Sequence, residues 1–214
     1  MKKLMAAVLA TLLVLSLVFV LVACNDTPDN PDKPDDGKKT ELDATISDES
    51  LKNILGSGKL YVTCIGQAND YKQVANILTS SSGLGMAAES LTLNNVLTAD
   101  EVEDGSTVII AVGNSAKGLG EAGVDAASES ARADAFIAKK DKINLIVTHT
   151  GGSNRRGESS DPVIQKMFAA AKVALYTSAG NKDGKLAVFA AAVPHYEYSG
   201  LAKMIASFKF LLGK

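Results

Sequence analysis

Glycine, hydroxyl and basic side chains gather in four short stretches of this 214-residue chain: Gly66 to Asp70, Gly113 to Gly123, His149 to Gly157, and Ser178 to Gly184. Their chemistry is that of anion recognition. Glycines let backbone N–H groups converge on a ligand, and helix N-termini nearby add positive potential. Lys117, Arg155, Arg156 and Lys182 supply charge, and arginine offers a planar fork that matches carboxylate or phosphate. Gly113, Ser115, Gly118 and Gly151 are the expected backbone and hydroxyl contacts, with His149 giving an orienting hydrogen bond and Gln67 and Asn181 completing the ligand-facing set. The competing reading is that Arg155-Arg156 is a solvated loop tip, or that one arginine pairs with Glu158 or Asp161.

Sharper motifs fail on spacing. Gly118-Leu-Gly-Glu-Ala-Gly123 matches G-x-G-x-x-G, but five residues separate it from Val112, and the next strand ends at His149 where a ribose-binding acid would be required. No Gly-Lys-Ser/Thr follows the glycines, which excludes a P-loop. A hydrolase could use Ser115 as nucleophile, His149 as base and Asp183 as orienting acid. However, Gly113-Asn-Ser-Ala-Lys117 departs from the nucleophile elbow, and Ser, His, Asp is not the α/β-hydrolase order. The two histidines, His149 and His195, are far apart and no thiolate lies in the four stretches, so neither a metal nor another cofactor is expected.

These stretches must be positioned by something rigid. Lys59 to Ile65 reads as a first strand, followed by Tyr71, Val74, Ala75 and Leu78 at helical spacing. Met86 to Leu93 is a weaker second strand, and Thr107 to Val112 a third with the continuous apolar character of a strand covered on both faces. Asp125 to Lys139 is helical, with Ala127, Ala131, Ala135 and Ala138 on one stripe. Ile143 to Thr148 is a fourth strand, Asp161-Pro162 opens a helix carrying Val163, Ile164, Met167 and Phe168, and Val173 to Thr177 is a fifth. A short helix after Gly184, a sixth strand over Val193 to Tyr198 and a last helix with Leu201, Met204, Ile205, Phe208 and Leu212 complete the chain. Alternating strands and helices imply right-handed crossovers. The expectation is a single-domain, three-layer α/β fold with a doubly wound, mainly parallel sheet, flavodoxin-like or Rossmann-like, with flavodoxin-like order as first choice. All four stretches then lie at the carboxyl edge, where such sheets bind ligands, whereas the opposite turns, Thr98 to Ser106 and Lys139 to Lys142, are ordinary charged connections.

The N-terminal part says where the domain works. Met1 to Lys3 are basic at their end, Leu4 to Val22 is apolar, and Leu21-Val-Ala-Cys24 resembles the bacterial lipobox. Residues 1–23 therefore read as a lipoprotein signal peptide rather than a membrane span. Cys24 becomes the lipid attachment point, and acyl chains there anchor the protein to the cell membrane, facing outside the cytoplasm. Residues 24–46, rich in Asp and Pro, read as a disordered stalk, and residues 47–214 as the α/β domain. With Cys24 lipidated, Cys64 has no partner in the chain and reads as a small core residue. Signal and stalk together take five of the 22 basic and seven of the 24 acidic residues, leaving 17 of each. That balance lacks the electrostatic footprint of nucleic-acid binding.

A resemblance supports the domain. Ser115-x-Lys-Gly-Leu-Gly-x-Ala-Gly-x-Asp125, His149-x-Gly-Gly with Arg155-Arg-Gly157 and Ser160-Asp161, and Gly180-Asn-x-Asp-Gly184 together resemble domain-of-unknown-function family 6305, exported or lipid-anchored bacterial proteins. The likeness spans most of residues 59 to 213. It implies the fold and the loops and carries no activity. The resulting expectation is a membrane-tethered extracytoplasmic binding module for a small anionic molecule, accessory to a membrane transporter or sensor. The rivals are a hydrolase using Ser115 and His149, and a non-catalytic interaction scaffold. Anchoring has its own test: the protein should incorporate labelled palmitate in its native host type, and Cys24→Ala should not; equal labelling of both would contradict lipidation at Cys24.

Overall fold

The computed structural model describes residues 41–55 and 58–214; the signal peptide, Cys24 and the stalk up to residue 40 lie outside them. Branched, apolar runs form the strands β1 (Leu60–Ile65), β3 (Thr107–Val112), β4 (Asn144–His149) and β5 (Val173–Thr177), and shorter pieces form β2 (Leu91–Leu93) and β6 (His195–Tyr198). Between them run α1 (Asp70–Thr79), α2 (Ala116–Ala122), α3 (Ala126–Ala138), α4 (Asp161–Ala170) and α5 (Lys185–Phe189), and α6 (Ile205–Leu212) closes the chain.

One sheet results, in the order β2-β1-β3-β4-β5-β6, with every neighbouring pair parallel. It is the doubly wound α/β fold, in the flavodoxin-like order with β6 added beyond β5. Strand alternation sends Ile65, Ile110, Val112, Val147 and Tyr176 to one face, where Ala133 and Phe136 of α3, Ile164 and Phe168 of α4 and Leu186 of α5 cover them. Val62, Cys64, Ile109, Ile146 and Leu175 go to the other, under Val74 and Leu78 of α1 and Phe208 and Leu211 of α6. The strand order reverses between β1 and β3, which places the β1 and β3 loops side by side at the carboxyl edge. No helix among the described residues is long and apolar enough to cross a membrane.

Three elements differ from their sequence reading, and a fourth is given its orientation. The stretch Gly113 to Gly123 is mostly helix, α2, capped at its start by the Ser115 hydroxyl accepting from the Gly118 amide and ended by Gly123 at φ 66°. β2 shrinks to three residues because Ala88–Ser90 makes a 3-10 turn and offers nothing branched to pack. On α3 the alanine stripe is exposed, and Glu129, Ala133 and Phe136 form the buried face. Alanine gains little from burial, so Phe136 sets the rotation of the helix. Finally, the folded body begins before residue 47. The Asp43 amide donates to the Glu197 carbonyl (2.8 Å), its carboxylate accepts from the Ser199 amide and hydroxyl (2.8 and 2.7 Å), and Ile46 is 1 % exposed.

The α3 assignment is directly measurable. Phe136→Ala should cost about 3–5 kcal/mol in urea unfolding, and Ala131→Ser about 0.5 kcal/mol or less; a larger loss from Ala131→Ser than from Phe136→Ala would contradict an exposed alanine stripe.

Candidate functional site

At the reversal point of the sheet the backbone amide of Gly66 already has an anion. Glu129, reaching up from α3, accepts from Gly66 N–H at 2.6 Å and from Gln67 Nε2 at 3.3 Å. Arg132 forks onto the same carboxylate (Nη2–Oε2 2.7 Å, Nε–Oε1 3.1 Å) and donates to the Cys64 and Leu97 carbonyls. The two side chains are 11 % and 5 % exposed, so this is a buried pair with its remaining hydrogen-bonding capacity satisfied. Gln67, at φ 56°, exchanges hydrogen bonds with Asn95 (3.0 and 2.9 Å) and bridges to Asn114. Beside this network lies a small cleft, with room for about one water, lined by Gly66, Gly113, Asn114, Glu129, Ser159 and the apolar Ile164 among others.

A second cluster sits one strand further along. Asp70, the first residue of α1, is 4 % exposed, and its Oδ2 has no hydrogen-bond partner. Burial raises its pKa above the usual carboxylate value, and the charge of Arg155 offsets part of that rise. His149, at the end of β4, is fully buried, with Nδ1 2.8 Å from the Val112 carbonyl and Nε2 unpartnered. Desolvation pushes its pKa down to about 4, against the raising effect of the Val112 carbonyl. Three glycines make the packing possible. A Cβ on Gly113 would meet Asp70 Oδ2 at 3.3 Å, Arg155 Cβ at 3.3 Å and His149 Cε1 at 3.6 Å. One on Gly151 would meet Arg155 Cγ at 2.5 Å and Asp70 Oδ2 at 2.9 Å, and one on Gly180 would meet His149 Nε2 at 2.7 Å. Asn114 Oδ1 and the hydroxyls of Thr148 and Thr150 are also buried without partners. Buried polar groups are normally paired, so five such atoms on the β1, β3 and β4 termini mark this edge.

The residues expected to bind a ligand divide accordingly. His149, Gly113, Gly151 and Arg155 meet in the cluster, and Arg155 makes no ion pair or hydrogen bond through its guanidinium among the described residues. Arg156 is committed elsewhere. It grips Asp161 with two hydrogen bonds (2.7 and 3.1 Å), donates to the Gly180 carbonyl at 2.7 Å, reaches Asp183 at 3.4 Å and lies over the Phe189 ring. Burial works against its charge, and Asp161 and Asp183 overcome that, holding its pKa above the usual arginine value. Asn181 accepts from the Leu186 amide and donates to Glu197 (2.9 and 2.7 Å), which fastens α5 to β6. Gln67 is held by Asn95 and Glu129, and Gly118 packs so closely that a Cβ would lie 2.0 Å from the Gln67 carbonyl oxygen. Lys117 is 86 % exposed beside Glu121, and Lys182 is exposed. The triad alternative is not wired together: the Ser115 hydroxyl caps α2, Asp183 holds Arg156 and Lys185, and no hydrogen bond joins either to His149.

Asp70, Asn114, Glu129 and Arg132 are the participants that sequence reasoning missed. Two signals were present: an aspartate at the junction of the first strand loop and its helix, and an acid–arginine pair at i, i+3 inside an alanine-rich helix.

Residues 57–206 match the family model described as Domain of unknown function (DUF6305). No curated protein and no solved structure matches the chain.

The buried histidine makes stability depend on pH. Its folded pKa lies below the ordinary 6.5, so the unfolded chain takes up a proton first as the solution is acidified. The stabilisation is complete above pH 6.5 and is lost as pH falls through about 4, amounting to about 3 kcal/mol. Asp70, with its raised pKa, acts in the opposite sense above the ordinary carboxylate value. Urea unfolding between pH 7 and 4 should show a steep loss that flattens in His149→Gln; equal slopes would contradict a neutral buried His149.

Proposed function

We propose that this chain, which belongs to the family described as Domain of unknown function (DUF6305), is a lipid-anchored extracytoplasmic module that binds a small anionic ligand and serves a membrane transporter or sensor. The binding part of this reading is supported by one observation: the Arg155 guanidinium makes no hydrogen bond or ion pair among the described residues, while its stem shares the surroundings of Gly113 and Gly151 with the buried, unpartnered Asp70 Oδ2. The stem of Arg155 packs over Gly151 and Gly113, and a carboxylate is the partner that its fork geometry suits. Arg156 acts as the fastener of the neighbouring loops. Tethering follows from the lipobox-like Leu21-Val-Ala-Cys24.

The lipidated protein in detergent should be screened by thermal unfolding against carboxylates, phosphates, nucleotides and sugar acids. A ligand at 100 times its Kd stabilises the native state by about 2.7 kcal/mol, a visible shift. The expected result is a shift with an acid that Arg155→Ala abolishes and Lys117→Ala retains. Absence of any shift would contradict the reading and turn attention to a protein partner.

A further inference from the structure

The surroundings of His149 suit a neutral ring. A carbonyl oxygen only accepts, so the 2.8 Å contact with Val112 places the ring hydrogen on Nδ1. Nε2 has no hydrogen-bond partner, and Gly180 of the β5 loop lies over it so closely that a Cβ there would stand 2.7 Å away. A second hydrogen, on Nε2, needs water to carry its charge, and the covering loop keeps water out.

That loop, Ser178 to Gly184, is tied to the β4 loop chiefly by a cation. Arg156 donates to the Gly180 carbonyl at 2.7 Å and reaches Asp183 at 3.4 Å, and the Thr177 hydroxyl at the end of β5 makes a longer contact, 3.4 Å, with the Gly151 carbonyl. Beyond Gly180 the chain is held from another direction, by Asn181 on the Leu186 amide and on Glu197. A charge on His149 would therefore act against the same guanidinium that fastens its cover.

The other groups around the ring leave this balance in place. Burial has the largest influence on His149 and pushes its pKa down to about 4. Arg156 acts in the same sense, while the Val112 carbonyl of β3, Asp161 at the start of α4 and the Gly152 backbone act against it. Asp161 and Asp183 are both engaged by Arg156. Asp70 of α1 and Arg155, of opposite charge, approach the Cε1 side of the ring across Gly113. On the β6 side His195 stacks on Tyr176, the β5 residue paired with His149.

We propose that the β5 loop is an acid-released clasp: a proton taken up by His149 lifts Gly180 off the imidazole and parts the β4 and β5 loops, while the sheet and its helices stay folded. Opening lets water reach Nε2 and lets the imidazolium and Arg156 move apart. The device is independent of the acid-binding reading.

The test is hydrogen exchange of the lipidated protein in detergent between pH 7 and pH 3.5, expressed as protection relative to the free-peptide rate at each pH. The Gly180 and Asn181 amides, which donate within the loop at 3.0 and 3.1 Å, should lose at least tenfold more protection than those of β3 and β4. His149→Gln, which keeps a neutral side chain, should remove that difference, and His195→Gln should retain it. Histidine-nitrogen NMR of the unsubstituted protein decides the matter should His149→Gln fail to fold: His149 should gain its second hydrogen at the pH where the loop loses protection. Protection lost equally along the whole chain, a loop that still opens in His149→Gln, or one that stays protected after His149 is charged would each overturn the proposal.

Discussion

Arg156 is buried to 5 % exposure where the β4 loop, the start of α4 and the β5 loop meet, and it ties the β4 loop, on which it sits, to the other two through Asp161, the Gly180 carbonyl and Asp183. The carboxyl edge takes its form from this guanidinium. Gly180 is drawn down until its Cα leaves no room for a side chain above His149, and that closure strips water from the imidazole. Asp161 is drawn in as well. Burial alone would raise its pKa, but Arg156, the Gly157 amide and Lys185 more than compensate and hold it below the usual carboxylate value. Removing one partner of such a buried pair strands the other, which is costly. Arg156 and Arg132 thus stiffen the edge, and Arg155 is left as the partly exposed arginine between them.

The parallel sheet explains why the polar cluster lies here. Its central strands are covered on both faces, so hydrophobic residues fill them and polar chemistry is confined to their ends. β4 shows the transition along one strand: Leu145, Ile146 and Val147 are core, and Thr148, His149 and Thr150 are polar yet still buried. Gly113 and Gly151 bring the β3 and β4 loops within contact of Asp70 at the head of α1. At the adjoining reversal point Glu129 occupies the Gly66 amide, whereas the guanidinium of Arg155 has no such partner among the described residues.

Much of this was legible in the chain. Thr-Val-Ile-Ile-Ala-Val and Val-Ala-Leu-Tyr-Thr announce buried parallel strands, and the glycine-bearing loops behind them identified the carboxyl edge. What escaped depends on partners remote in sequence. Nothing local separates Arg155 from Arg156; the difference is made by Asp161, Gly180 and Asp183, five to 27 residues away. Asp70 is in sequence only the last residue of the first loop stretch, and it is the fold that sets Gly113 and Gly151 against it. The rotation of α3 could not be read from its alanines, because alanine is equally content inside or outside, whereas Glu129 had a buried arginine to meet.

The central claim is that Arg155, unlike Arg132 and Arg156, has a guanidinium free to hold an acid. Nitrogen NMR of protein labelled at arginine reads this directly. The expected spectrum shows the Arg155 side-chain signals moving on addition of a bound acid while those of Arg132 and Arg156, held by Glu129 and Asp161, stay put. Arg155 signals indifferent to every acid, or Arg156 signals that move in their place, would contradict it.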